Sequence, residues 1–338
     1  MPSPSSTSPA ILVAGGAGYI GSHTSKELQK AGFTPVVLDN LVTGNRFAQG
    51  RFGPFYEGSI SDAALVSEIV RKHSIAGAIL FAGYAYVGES TQWPRKYFNN
   101  NVSSAIAFTD ALLDAGVNKV VFSSSCSIYG TQEKVPIGED APKNPLSPYA
   151  ETKLFFERVL RAYDSAYSLR SVCLRYFNAA GADPEGEIGE NHDPETHLIP
   201  LTIYAAMGKG PLNVFGSDYP TPDGTAIRDY IHVTDLGDAH VRGLRYLLDG
   251  HASVQLNCGT GQGNSVKEVI AMVEAVSGRK VPVEFGPRRE GDAPALVADA
   301  SEAKRLLGWN PQVSSLESIV RTAWRWHSEL APAVLKTP

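Results

Sequence analysis

AILVA at Ala10–Ala14 runs without a break into Gly15-Gly16-Ala17-Gly18-Tyr19-Ile20-Gly21, and the reading of this stretch decides the fold. Five apolar residues ending on glycine predict a strand buried on both faces. The pattern over Tyr19–Ala31 predicts a helix, so Gly15, Gly18 and Gly21 form a GxxGxxG turn between strand and helix. Glycines there permit a tight turn, close approach of backbone to a pyrophosphate, and tight helix–strand packing. The helix N-terminus adds free N–H groups for the phosphates. A second predicted strand, Thr34–Asp39, ends on a carboxylate 18 residues beyond Gly21. Asp39 can accept from the ribose hydroxyls of NAD and would repel a 2′-phosphate, which favours NAD over NADP.

Moving outward, short apolar runs alternate with longer helical patterns. A helix near Asp62–Lys72 precedes a strand at Ala76–Ala82, and one long helix is expected within Pro94–Ala115. A strand at Lys119–Ser123, a helix opening at Pro148 and a strand at Arg170–Tyr176 follow. This alternation predicts an α/β fold with a doubly wound, Rossmann-type parallel sheet. After Asn178 the polar, acidic stretch 179–197 reads as a long crossover loop. The expected division is a NAD-binding domain over 10–178 and a smaller mixed α/β substrate-binding domain over 179–338. Segments near 230–258 are expected to be able to pack back on the first.

Composition narrows the function. Apolar residues make up 43% and charged residues 19%, as in ordinary globular proteins. Thirty basic against 35 acidic residues leave a net charge of −5, with no basic run longer than two residues. Neither a nucleic-acid partner nor an anionic membrane surface is expected. No apolar stretch approaches the roughly 18 residues of a membrane span. Cys126, Cys173 and Cys258 have no CxxC spacing, which predicts a reducing, cytoplasmic setting. Cys126 is expected to be a small buried residue, and MPSPSSTSP at the start reads as a tail without a secretion signal.

Pro145-Leu146-Ser147-Pro148-Tyr149 opens a helix with Ser147 as N-cap and Pro148 at its first position. Tyr149 and Lys153 are then four apart on one helical face. A phenol with a reference pKa of about 10 is a poor base, and a cation held beside it lowers that value. Tyr149 is therefore a candidate base for a sugar or alcohol hydroxyl, and Ser125 can hydrogen-bond the same oxygen as it becomes a carbonyl. Asn100 and the Ser123–Ser125 run, at the ends of later strand–helix units, are expected at the nicotinamide end of the crevice.

GGAGYIGSH, Asp39-Asn40, FAG…VGES, FSSSCSIYG, SPYAETK, LRYFN, DYPTPDGT, RDYIHV and PRREGD together resemble the nucleotide-sugar 4-epimerases of the extended short-chain dehydrogenase/reductase superfamily. The resemblance spans about Ile11 to Trp326. It implies Ser125, Tyr149 and Lys153 as catalytic residues, and interconversion of UDP-glucose and UDP-galactose through a 4-keto sugar. Around NAD it places Gly15, Gly18, Tyr19, Ile20, Gly21, Asp39, Asn40, Ser59 and Ile60. Phe81, Ala82, Gly83, Asn100, Ser123, Tyr149, Lys153 and Tyr176 complete that set. Around the UDP-sugar it places Ser125, Tyr149, Asn178, His197, Leu198, Asn213, Phe215, Arg228, Tyr230, Arg289 and Asp292. Arginine forks suit a diphosphate. A homodimer through the helices near Pro94–Ala115 and Pro148–Ala166 is also implied.

Four positions depart from the commonest pattern of that family. Ala85 stands where many members carry lysine, and the AYVGES variant keeps a UDP-xylose/UDP-arabinose 4-epimerase as the alternative. Ser59 replaces an aspartate against the adenine, His197 replaces an asparagine, and Leu296 occupies the position held to gate N-acetyl sugars. A 4,6-dehydratase needs an Asp-Glu pair after the catalytic serine, and Cys126 and Ser127 stand there instead. A non-catalytic NAD-binding role fits poorly with an intact Tyr149–Lys153 pair. His192 and His197 are five apart, off the i, i+4 spacing of a helical zinc motif, so no metal is expected.

Overall fold

The computed structural model describes residues 8–289 and 292–334, so the expected N-terminal tail, apart from Ser8 and Pro9, lies outside the described residues. Seven parallel strands form the main sheet: β1 (Ala10–Ala14), β2 (Thr34–Asp39), β3 (Phe55–Glu57), β4 (Gly77–Leu80), β5 (Lys119–Ser125), β6 (Arg170–Tyr176) and Val254–Cys258. Their order is Val254–Cys258, β6, β5, β4, β1, β2, β3. Chain direction across the sheet reverses between β1 and β4, which is where a doubly wound sheet opens its crevice.

β1 is buried along its whole length because alternate residues serve two cores. Leu12 and Ala14 face one layer with Leu38, Leu80, Phe122, Phe108 and Phe156. Ile11 and Val13 face the other, against Val121, Val172, Leu236 and Leu244. The latter two leucines lie on the helix Val233–Leu248, which covers the second face of the sheet together with α1 (Tyr19–Lys30). A third core, with Ile199, Ile203, Val214, Val269, Val273 and Ile319, builds the cap over the carboxyl ends of the strands. Within the cap, Ile227–His232 pairs with Asn178–Ala180, Gly263–Ser265 and Ala295–Leu296, while Leu212–Phe215 pairs with Val283–Gly286.

The single helix expected within Pro94–Ala115 is instead broken. Pro94–Phe98 is followed by a π turn over Asn99–Ser104 and then by Ala105–Asp114. Three consecutive asparagines are weak helix formers, and Asn101 has other work. Its side chain accepts from Tyr84 N at 2.8 Å and donates to Tyr84 O at 2.9 Å, pinning the segment after β4. The short helix Val87–Gln92 and the edge strand β3 also escaped the sequence pattern, both being too short to show a period. Among the described residues no helix is long and apolar enough to cross a membrane.

A buried ion pair ties the helix Pro148–Tyr167 to the sheet. Glu157 accepts from Arg175 Nε at 2.9 Å, from Arg175 Nη2 at 2.6 Å and from Ser124 Oγ at 2.6 Å. The two charged side chains are only 1% and 4% exposed. Truncating one partner strands the other charge in the core, so Glu157→Ala is expected to cost about 3–5 kcal/mol in denaturant unfolding. A loss below about 1 kcal/mol would show that water reaches the guanidinium and the pair is not a tether.

Candidate active site

One cavity of about 690 Å³ opens along the carboxyl ends of the strands and continues under the cap. At its floor β1 turns through Gly15, whose φ of +83° falls in the left-handed region that favours glycine. A Cβ on Gly15 would lie 2.5 Å from Ala82 N, and one on Gly21 would lie 2.2 Å from Gly15 O. The turn, the start of α1 and the end of β4 thus meet backbone to backbone, leaving a cradle that a phosphate pair fits. Asp39 braces it, accepting from Ala17 N at 2.9 Å and from Leu41 N at 2.8 Å. Burial raises its carboxyl above the usual range, and these two N–H groups pull it back.

The helix Pro148–Tyr167 starts at the cavity wall. Ser147 caps it, its Oγ accepting from Ala150 N at 3.2 Å, with Pro148 at the first position. Tyr149 and Lys153 follow one turn apart and both are buried. Lys153 Nζ donates to Ser123 O at 2.7 Å and sits 5.8 Å from the centre of the Tyr149 ring. Burial pushes the Tyr149 phenol up to about 12, with the Ser125 hydroxyl pulling the other way. Burial also pushes Lys153 down to about 8, opposed by Glu157 one further turn along. Ser125 ends β5, and Tyr176 at the end of β6 shares a 2.5 Å hydrogen bond with Ser123.

The structure brings every candidate residue from the sequence to this one cavity. Gly18, Tyr19, Ile20 and Asn40 lie at the turn end, with Ser59 and Ile60 just after β3 and Phe81, Ala82 and Gly83 just after β4. Asn100 lines it too, while its neighbour Asn101 is the residue that holds the backbone. At the far end are Asn178, His197, Leu198, Asn213, Phe215, Arg228, Tyr230, Arg289 and Asp292. Arg228 pairs with Asp292, and the Arg289 guanidinium stacks 4.1 Å from the Phe215 ring centre. Its neighbour Arg288 turns away to Asp218 at 2.7 Å and to the Tyr219 ring. Gly291, read as part of the same arginine loop, lies outside the described residues.

Ala85 and Ser59, two of the departures noted above, line the cavity; Leu296 does not. Leu296 packs instead against the cluster of Cys126, Ile128 and Tyr129. Cys126 is buried as expected, and burial pushes its thiol up to about 12. The sequence missed Glu190, Tyr86, Thr196 and Tyr204, which also line the cavity. It also missed how the loop between Asn178–Ala180 and the helix Leu198–Ala206 folds. Glu190, His192, Glu195 and His197 converge there, because the i, i+4 criterion holds for a helix and this segment is not one. Burial opposes a charge on His192, yet Glu190 and Glu195 beside it push its imidazole up to about 10.

The buried lysine makes a measurable prediction for the ligand-free chain. Its folded value near 8 lies below the unfolded value of 10.5, so between those pH values the unfolded chain still holds a proton that the folded chain has released. Stability is therefore expected to rise with pH across this window, by up to about 3 kcal/mol. Lys153→Met should lose that rise when unfolding curves are compared at pH 7.5 and 9.5. Equal slopes for the two proteins would mean that Lys153 stays charged throughout.

Residues 11–259 match the model of the NAD dependent epimerase/dehydratase family. The UDP-glucose 4-epimerase of Rhizobium leguminosarum bv. trifolii is 51% identical over 94% of this chain and 97% of its own length. The crystal structure of UDP-glucose 4-epimerase from Brucella ovis in complex with NAD is 49% identical, superposes with a TM-score of 0.92, and covers 94% of this chain and 98% of that one. That of Bifidobacterium longum in complex with NAD+ and UDP is 36% identical with a TM-score of 0.88, covering 95% and 98%. A glycine cradle at the sheet's switch point, a Tyr–Lys helix beside it and this similarity over nearly the whole length agree: the chain belongs to the NAD dependent epimerase/dehydratase family.

Proposed function

We infer that the chain interconverts UDP-glucose and UDP-galactose, oxidising C4 of the sugar transiently and reducing it again from the opposite face with NAD resident throughout. The observation that carries this reading is the position of Tyr149, Lys153 and Ser125. They line one cavity together with the glycine cradle and with Arg228, Arg289 and Phe215. Gly15, Gly18 and Gly21 would hold the pyrophosphate of NAD and Asp39 its ribose. When bound, NAD accepts the C4 hydride, returns it, and adds a positive charge beside Tyr149.

Each protein group has a task. Tyr149 keeps its proton in the free chain, since burial holds the phenol near 12. It becomes a base only against positive charge, and Lys153, kept in place by the Ser123 carbonyl, supplies one from the protein. The Tyr149 oxygen then takes the proton of the 4-hydroxyl, and the Ser125 hydroxyl donates to that oxygen as it becomes a carbonyl. Arg228 and Arg289 hold the diphosphate while Phe215 offers its ring to the uracil. The 4-keto sugar turns about the held diphosphate and presents its other face, and Tyr149 returns the proton. Nothing is consumed.

The division into a NAD-binding unit over 10–178 and a UDP-sugar unit over 179–338 is supported by the separate cap core, although Val254–Cys258 belongs to the main sheet. The chain forms a homodimer in the cytoplasm: Phe98 and Phe155 are exposed on the helices Pro94–Phe98 and Pro148–Tyr167, and all three cysteines are free and buried.

Proton NMR of the purified protein with UDP-galactose and no added cofactor is expected to show UDP-glucose anomeric signals growing to an equilibrium mixture. Silence in that experiment would remove the hexose reading. Tyr149→Phe should lower turnover by about 10²- to 10⁴-fold while the protein still releases NAD on denaturation. A near wild-type rate for this variant would assign the base elsewhere. Light scattering should report the mass of two chains, reduced to one by Phe155→Asp together with Phe98→Asp; a wild-type monomer would refute the dimer.

A further inference from the structure

The loop that crosses from the strand Asn178–Ala180 to the helix Leu198–Ala206 gathers four metal-competent side chains that the reaction above does not use as a set. One donor atom each from Glu190, His192, Glu195 and His197 lies within 4.8 Å of all the others. His192 Nδ1 is 3.1 Å from Glu190 Oε1 and 3.7 Å from Glu195 Oε1. His197 Nδ1 is 3.8 Å from Glu195 Oε1 and in contact with Glu190 Oε1. Zinc bonds of about 2.0–2.1 Å in a tetrahedron require donor–donor edges of about 3.4 Å, and these spacings bracket that value.

Three observations separate this cluster from a set of acids meeting by chance. First, its carboxylates are sheltered: the Glu190 and Glu195 side chains are only 2% and 5% exposed, while His192 and His197 close the cluster toward the cavity at 17% and 47%. Second, the buried Glu195 carboxylate keeps one oxygen, Oε2, with no hydrogen-bond partner, an expensive condition for a polar atom out of water. Third, among the described residues the two glutamates pair only with His192 and His197, which can exchange a proton for a metal, and with no lysine or arginine. The other acidic group of the molecule makes the contrast. Asp183, Glu185 and Glu187 surround Lys26 Nζ at 2.8, 2.7 and 2.6 Å, so a protein cation already fills that site. In the first cluster a divalent ion would displace the protons that Glu190 and Glu195 hold on the two imidazoles, and the two carboxylates would then balance its charge.

We propose that Glu190, His192, Glu195 and His197 bind a zinc-class divalent cation that clips the crossover loop in place over the cavity. Four protein ligands close the coordination shell, as in structural zinc sites, so the ion takes no part in the C4 chemistry. The surroundings suit that task. The Trp326 indole N–H donates to Glu190 O at 2.8 Å, and the Tyr19 and Tyr86 rings stand edge-on to His192. The loop is anchored at Glu190 from the cap and touches α1 through His192. A cation there joins the two ends of its polar segment. With Nδ1 of His197 on the metal, Nε2–H is the one polar atom that this ring can offer a ligand in the cavity.

The test uses the whole chain, with zinc as the probe. Protein stripped with a chelator, given Zn²⁺ and dialysed is expected to retain one zinc per chain by elemental analysis. At zinc concentrations about 100 times the dissociation constant, the melting temperature should rise by about 5 °C. Co²⁺ in place of zinc should give the intense visible absorption of a four-coordinate centre. The double variant His192→Gln, Glu195→Gln should retain no zinc and show no metal-dependent rise in melting temperature. If the wild-type chain retains no zinc, or melts at the same temperature with and without it, the proposal falls. Zinc retained equally by the double variant overturns it as well, because the ion then sits elsewhere. Should the variant fail to fold, the wild-type stoichiometry and the Co²⁺ spectrum still decide the matter.

Discussion

The backbone of Gly15 lies against the backbone at Ala82, and the rest of the molecule is arranged around that approach. A Cβ on Gly15 would sit 2.5 Å from Ala82 N, inside any permissible contact, so the meeting of β1 with the end of β4 exists only because this residue has no side chain. Gly21 repeats the condition one helical turn later against Gly15 O. Together they seat α1 on the face of the sheet with its N-terminus at the point where the strand order reverses. Wherever that point falls, a crevice opens. The cap, the helix Pro148–Tyr167 and the crossover loop all line the same crevice.

The helix Pro148–Tyr167 works as a ruler laid along it. Positions 149, 153 and 157 recur every turn on one face, and each finds a different partner. Tyr149 faces the cavity, Lys153 reaches the Ser123 carbonyl, and Glu157 locks onto Arg175 and Ser124. Burial draws Lys153 down toward neutrality while Glu157 restrains the fall, so a buried ion pair in the core bears on the charge next to the Tyr149 phenol. Fold stability and proton affinity are set by the same contacts.

Different parts of the site were legible to different degrees. The glycine turn, Asp39, the capped Tyr149–Lys153 helix and Ser125 could be read because each depends on local spacing: a period, a cap or a strand end. The broken helix over Pro94–Asp114 could not, since Asn101 leaves the helical pattern to serve Tyr84, seventeen positions earlier. Arg288 and Arg289 look alike in sequence and part company in space, one to Asp218 and one to Phe215. His192 and His197 lie in a loop, where helical spacing has no bearing on whether their side chains meet. Leu296, expected at the sugar pocket, packs into a neighbouring core because its short strand pairs beside Arg228 rather than opening toward the cavity.

The sequence by itself determined the parallel sheet, the place of its glycine turn and the setting of Tyr149 and Lys153 on one helical face. Those properties follow from residue periodicity and from the few residues that tolerate a given backbone shape. Only the tertiary structure decided which polar side chains meet: Glu157 with Arg175, Arg228 with Asp292, and the Glu–His tetrad over the cavity. Such meetings depend on where a loop without a period comes to rest. That is set by distant anchors, among them Trp326 against Gly189 and the carbonyl of Glu190, which no local pattern encodes.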